Sequence, residues 1–275
     1  MEIDCKSGRE DTRKTGMIPL REIRERARES GVPNTTIERD YAQNWLLKHL
    51  SSMNMALKGG TGIRKTYIEN YRFSDDLDFT LLEKTDTAMV KDLVMRAVSE
   101  TKEESGINFN DGIQIEENIN GFEVISYFRI LRTSGTPIRI KLDLTGYEKE
   151  DILLPAEIRD IIHPYSDNCR FQIRVYSLEE ILAEKIRSLF ERTRPRDMYD
   201  TWYLHDIIDR VKILSVLQEK FKFKNIAPDI FSLEDRKLDF ANAWQSSLSH
   251  QIKELPDFNY VYNEVIKQVR AYATN

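Results

Sequence analysis

Cysteine is nearly absent from this chain: Cys5 and Cys169 are the two present, too few and too far apart for a disulfide framework or a zinc ligand set, so a reducing, cytoplasmic setting is expected. Long apolar runs are missing as well. No stretch approaches the roughly 18 residues that a membrane span needs, and residues 1–14 are polar and mixed in charge rather than signal-like, so no membrane partner is expected. An excess of positive charge is also lacking. With 46 acidic and 41 basic residues the net charge is -5, so any polyanion would have to be held by a local basic patch rather than by overall attraction. The four histidines, His49, His163, His205 and His250, show no ligand spacing. Internal repeats and low-complexity stretches are absent too, and linker-like composition is confined to the extreme N terminus and to 105–112.

What is present is enough apolar material, 40% of the chain, to build a substantial core. The spacing predicts a basic helix over 18–30 ended by Gly31, and a second helix over 35–50 with an apolar stripe of Ile37, Tyr41, Trp45 and Leu46, the two forming an N-terminal cap. A short apolar strand over 53–58 then meets Gly59 and Gly60, followed by a helix over 61–70 and a strand over 73–82. Another helix is expected over 86–101. From 109 to 144 the period changes to two, most clearly where Ile138, Ile140, Leu142 and Leu144 alternate with Arg139, Lys141 and Asp143. Phe171, Ile173 and Val175 repeat the alternation, and from Ser177 the period is helical, broken at Pro195, Pro228 and Pro256. These elements predict a flexible tail at 1–17, a lobe with a mixed sheet over 18–176 and a helical lobe over 177–275, an α+β (mixed α/β) chain with the site between the lobes.

Asp76 and Asp78 stand at i and i+2 of a strand, so both carboxylates leave one face while Leu77 and Phe79 anchor the other. Carboxylates this close repel one another, and a divalent cation such as Mg²⁺, bound jointly with substrate phosphates, removes the repulsion. Gly59, Gly60 and Thr61 open a helix at the end of the preceding strand, where free amides attract phosphate. Asp143, on the polar face of its strand beside Lys141, is the third carboxylate expected in a two-metal site. The P-loop does not fit, because Arg64 precedes Lys65-Thr66 where the motif needs glycine, and an EF-hand fails at Leu81. Ser177-Leu-Glu-Glu180 is a capping box, and the helix it starts has the apolar stripe Leu178, Ile181, Leu182, Ile186 and Leu189. Lys185 falls within that stripe, so an inward ammonium should meet a carboxylate or a phosphate. Arg192 extends the face, and Arg194, Arg196, Asp197 and Asp200 follow, with Arg196 and Asp200 also spaced as an i, i+4 pair.

In these motifs the chain resembles the AbiEii/AbiGii-type nucleotidyltransferases, toxins of type IV toxin–antitoxin systems within the DNA polymerase beta-like superfamily. Leu57-Lys-Gly-Gly-Thr61 followed by Arg72-Phe-Ser-Asp-Asp-Leu-Asp-Phe79 is similar to the family's first motif, and Lys141-Leu-Asp143 to its second. Glu184-Lys185, Arg192 and Arg196-Asp-Met-Tyr-Asp200 resemble the motifs of its helical half. The likeness runs from about Ile18 to about Leu204, and departs at Gly62-Ile63, where relatives often carry Ala-Leu. It implies a polymerase-beta-like mixed sheet with flanking helices and a helical C-terminal lobe, with Asp76, Asp78 and Asp143 on metal, Lys185 on triphosphate and Asp197 an essential acid. Gly59, Gly60, Thr61, Arg64, Ser74, Lys185, Arg192 and Arg196 are the expected nucleotide-binding residues. The implied reaction joins a nucleotide from an NTP to a tRNA 3′ end, with growth arrest as the outcome and an antitoxin encoded nearby. Two rival expectations are a small-molecule acceptor, as in aminoglycoside nucleotidyltransferases, and a nucleotide-binding module that does not turn over.

Overall fold

A computed structural model describes residues 16–273, so the expected tail, with Cys5, lies outside them but for its last two residues. Helix α1 (Leu20–Ser30) ends where Gly31 takes a left-handed conformation at φ 62°. Helix α2 (Asn34–Leu50) is buried over 12 of its 17 residues and is a core helix rather than half of a cap. Its polar residues go inside because each finds a partner: Asp40 takes Arg64 and Lys65, Gln43 donates to the carbonyls of Ser74 and Asp75, and Asn44 donates to that of Ile162.

Strand β1 (Met55–Lys58) runs directly into α3 (Gly59–Gly62), which widens into a π turn at Ile63–Tyr67. The helix expected over 61–70 therefore starts two residues early and stops at Tyr67. Arg64 and Lys65, adjacent in sequence, both reach the Asp40 carboxylate, at 2.7 and 2.8 Å, and the wide turn lets both be buried on one side. Strand β2 is Asp76–Leu81, shorter than the expected 73–82 because the Phe73 amide donates to the Gln251 carbonyl and the Ser74 and Asp75 carbonyls accept from the Gln43 side chain, none of them pairing with a neighbouring strand. Helix α4 (Thr87–Ser105) is capped by Asp86, whose side chain accepts from the Met89 amide at 2.8 Å.

The remaining strands are β3 (Asn108–Phe109), β4 (Gln114–Asn118), β5 (Gly121–Arg129), β6 (Ile138–Thr145), β7 (Glu157–Asp160) and β8 (Gln172–Val175). They join one mixed sheet in the order β3-β5-β6-β2-β1-β8-β7, with β4 on β5. The parallel pairs are β2 with β6 and β1 with β8. Helices α5 (Leu178–Glu191), α6 (Pro195–Leu204), α7 (Arg210–Phe223), α8 (Ile230–Asp235), α9 (Lys237–Leu248) and α10 (Phe258–Ala273) complete the chain. One apolar cluster is built from residues between Ile18 and Val175, and a second gathers the C-terminal helices around Ala56, Ile63 and Tyr71. Among the described residues no helix is long and apolar enough to cross a membrane.

Candidate active site

Strand β2 carries the acidic wall of a cleft of about 500 Å³ between the sheet and helices α5 and α6. Register sets its geometry: Asp78 lies between Lys58 of β1 and Asp143 of β6, and Asp76 beside Lys141. Burial pushes the Asp76 carboxyl above its ordinary value, and the charge of Asp78 pushes it further. Burial also raises Asp143, with Asp78 adding to it, although Lys141 stands 3.0 Å from its Oδ1. Neither Asp76 nor Asp78 has a side-chain hydrogen bond or ion pair with the described residues. Gly59 makes room here: at φ 67° it leaves space for Asp78, whose Oδ2 would lie 2.7 Å from a Cβ at that position.

Helices α5 and α6 supply the opposite wall. Ser177 caps α5, accepting from the Glu180 amide at 3.2 Å, but Glu180 does not close the capping box; it accepts instead from the Leu153 and Leu154 amides and pairs with Lys220 at 2.6 Å. Lys185 turns inward as its place in the stripe requires, and its Nζ meets Asp197 at 2.8 Å and Asp200 at 2.9 Å. Arg192, at the C-terminal cap of α5, meets the other Asp197 oxygen at 2.9 Å. Arg72 donates to both Asp200 oxygens at 2.6 Å, and Tyr71 donates its hydroxyl to Asp200 as well. Against the burial that opposes ionisation, these cations hold Asp197 and Asp200 below the usual carboxylate range. Three cations, Arg72, Lys185 and Arg192, thus share two carboxylates, so the cluster keeps one positive charge beside the cleft. Arg192 also feels the charge of Asp78, and Arg196 that of Asp76, so the two walls face each other.

Of the expected residues, Gly59, Gly60, Ser74, Asp76, Asp78, Asp143, Lys185, Arg192, Arg196 and Asp197 line this cleft. Two do not. Arg64 is buried against Asp40 and the Tyr71 carbonyl, and Thr61 donates its hydroxyl to the Asp76 carbonyl, fixing the start of β2. The i, i+4 pairing of Arg196 with Asp200 is not formed either, because Asp200 is taken by Arg72 and Lys185; Arg196 approaches Asp75 at 3.5 Å. Asp197, twice bonded and almost wholly buried, holds the cationic wall in shape and is poorly placed to accept a proton.

Sequence reasoning missed the strap between α9 and α10. Gln251, fully buried, donates to Asp75 at 2.6 Å and accepts from Arg72 at 2.8 Å, and its backbone carbonyl accepts from the Phe73 amide at 2.9 Å. His250 contacts Asp75 at 3.0 Å and Arg39 donates to it at 2.6 Å, so with Gln251 the residue before Asp76 is gripped from three sides. Nothing local signals this, since the partners are about 175 residues apart.

The donor set suits a hard divalent cation. Among the described residues no three His, Cys, Asp or Glu side chains form a metal-holding group, and Asp143 is paired with Lys141. That leaves two unpartnered carboxylates, the number with which Mg²⁺ is held when substrate phosphates and water complete its shell.

A family model described as nucleotidyl transferase AbiEii toxin, type IV TA system, matches residues 44–274. No curated protein matches the chain. Among solved structures, the MenT4 nucleotidyltransferase toxin of Mycobacterium tuberculosis H37Rv superposes with a TM-score of 0.63 at 18% identity, covering 94% of this chain and 90% of that one. JHP933 from Helicobacter pylori gives 0.60 at 19% identity, covering 88% and 94%. At these identities the likeness is one of fold.

Proposed function

The chain belongs to the AbiEii nucleotidyltransferase toxin family, and on that premise we propose that it transfers a nucleoside monophosphate from an NTP to the 3′ hydroxyl of a tRNA, acting in the cytoplasm as an abortive-infection toxin opposed by an antitoxin. The observation that carries this reading is the pair of unpartnered carboxylates, Asp76 and Asp78, facing a wall with surplus positive charge. In the reaction, the acceptor oxygen bonds to the α-phosphorus, the bond to the bridging oxygen breaks, and pyrophosphate leaves. Lys185 and Arg192, with Arg194 and Arg196 at the rim, hold the triphosphate and stabilise the charge that grows on the leaving group. Asp76 and Asp78 would hold Mg²⁺, which supplies Lewis-acid polarisation of the phosphate. Asp143 is the group suited to take the hydroxyl proton, because burial and Asp78 raise its basicity while Lys141 steadies it.

Arg194 has no side-chain partner among the described residues, which favours a phosphate-bearing acceptor over a polycationic small molecule. The test is incubation with Mg²⁺, each labelled NTP in turn and total tRNA, beside the Asp76→Ala, Asp78→Ala variant. Label on tRNA from wild type alone supports the proposal, and label on no RNA sinks the tRNA assignment. For the toxin role, expression of wild type should arrest growth while Lys185→Ala should not; equal growth would count against it.

A further inference from the structure

The face of the sheet that bears the carboxylates continues beyond the cleft. In the pairing of β5 with β6, Glu123 lies opposite Asp143, Ile125 opposite Lys141 and Tyr127 opposite Arg139. Lys141 bonds both Glu123 and Asp143 at 3.0 Å, so these rungs share one face. Val124, Ser126, Phe128, Ile140 and Leu142 point to the other face and are fully buried. On the near face Ile125, Tyr127 and Arg129 are only half-buried and Arg139 is exposed.

Around Tyr127 the cations lack carboxylate partners. Arg129 donates to two neutral acceptors, Asn110 Oδ1 at 3.4 Å and the Gly135 carbonyl at 2.7 Å, and its Nε is buried with no partner. The Arg139 guanidinium has neither a hydrogen bond nor an ion pair with the described residues. In a chain of net charge -5, most of whose cleft cations are paired, two such arginines beside an aromatic ring on a sheet face match the needs of unpaired nucleotides, whose bases stack and whose phosphates need cations. A protein partner would find one aliphatic side chain, Ile125, among polar neighbours.

We propose that this face is the landing surface of the acceptor: an unpaired RNA 3′ end stacks a base on Tyr127, sets phosphates against Arg129 and Arg139, and runs along β6 to Asp143. Arg139 and Asp143 are four steps apart along the extended strand, about 13 Å, so preceding nucleotides lie on the sheet while the terminal hydroxyl enters the cleft. The inference rests on the nucleotidyl-transfer reading.

The experiment is fluorescence anisotropy of a 5′-labelled single-stranded oligoribonucleotide with a free 3′ hydroxyl, titrated with the full chain without NTP, alongside NTP binding by equilibrium dialysis. Tyr127→Ala should weaken RNA binding by roughly five- to 150-fold. Arg129→Ala, Arg139→Ala should lower the slope of log K against log salt by about 1.4. Both variants should bind NTP as wild type does. RNA binding unchanged in both variants overturns the proposal and leaves the transfer reading intact. Weakened binding in Tyr127→Ala, in a protein that labels no RNA, supports the surface while the transfer reading falls. A wild type that ignores RNA and forms a dimer dissolved by Tyr127→Ala overturns the proposal in favour of a self-interface.

Discussion

Alanine at Gly59 perturbs the acidic wall and little else. Gly59 sits at φ 67°, a conformation that costs an L-residue about 1–2 kcal/mol. Its new Cβ would stand 2.7 Å from Asp78 Oδ2, so the carboxylate must retreat by roughly half an ångström to reach normal contact. Because Asp78 is a short side chain with no side-chain partner, that retreat is cheap in stability and falls on the group proposed to hold the metal. Gly106 is the matched control: it caps α4 at φ 73°, with nothing within 4 Å of a Cβ built there. Both Gly59→Ala and Gly106→Ala should lower Tm by roughly 2–8 °C in thermal melts. Gly59→Ala alone should lower kcat for nucleotide transfer, by at least about tenfold given how steeply rate falls with misplacement. Equal activity in the two variants would refute the idea that the position of Asp78 governs the chemistry.

Asp76→Asn should melt at or above the wild-type temperature without Mg²⁺, because burial and Asp78 make the folded protein hold the ionised Asp76 at a cost; transfer should fall by more than about a hundredfold. Added Mg²⁺ should raise the melting point of wild type but not of this variant. Despite burial, the hydrogen bonds of Arg187 and the charge of Lys220 hold Glu150 down at about 2, against an ordinary 4.5. Its contribution to stability is therefore complete above about pH 4.5 and is lost as pH falls through about 2; acid titration of Glu150→Gln should show a shallower limb over that window. Gln251→Leu strips a bond from both Arg72 and Asp75, and urea denaturation should register a loss of about 1–3 kcal/mol, with kcat falling more than KM changes.

The acidic wall was legible because strand alternation is local: two aspartates at i and i+2 must share a face, and the apolar pattern of 138–144 says which way Asp143 points. Lys185 was legible for the same reason, since a cation in an apolar stripe needs an anion. Which anion was not legible, because Asp197 and Asp200 are reached only after the chain turns from α5 into α6. Arg64 misled because cationic character beside a glycine turn looks like phosphate chemistry, whereas the buried Asp40 of a preceding helix claims it. The helix over 35–50 looked amphipathic, and its burial all round depends on hydrogen-bond partners far along the chain. The grip of His250 and Gln251 on Asp75 is wholly tertiary, so the last 70 residues carried no motif although they hold the residue beside Asp76.

Nucleotidyl transfer at this cleft makes a demand that no other phosphate chemistry shares, and one measurement isolates it. Wild-type protein, Mg²⁺ and tRNA are incubated with NTP labelled either at the α- or at the γ-phosphorus. The α-label should join the RNA and the γ-label should leave in pyrophosphate, with neither transferred by the Asp76→Ala, Asp78→Ala variant. Appearance of the γ-label on RNA, or equal α-labelling by wild type and variant, would contradict the account.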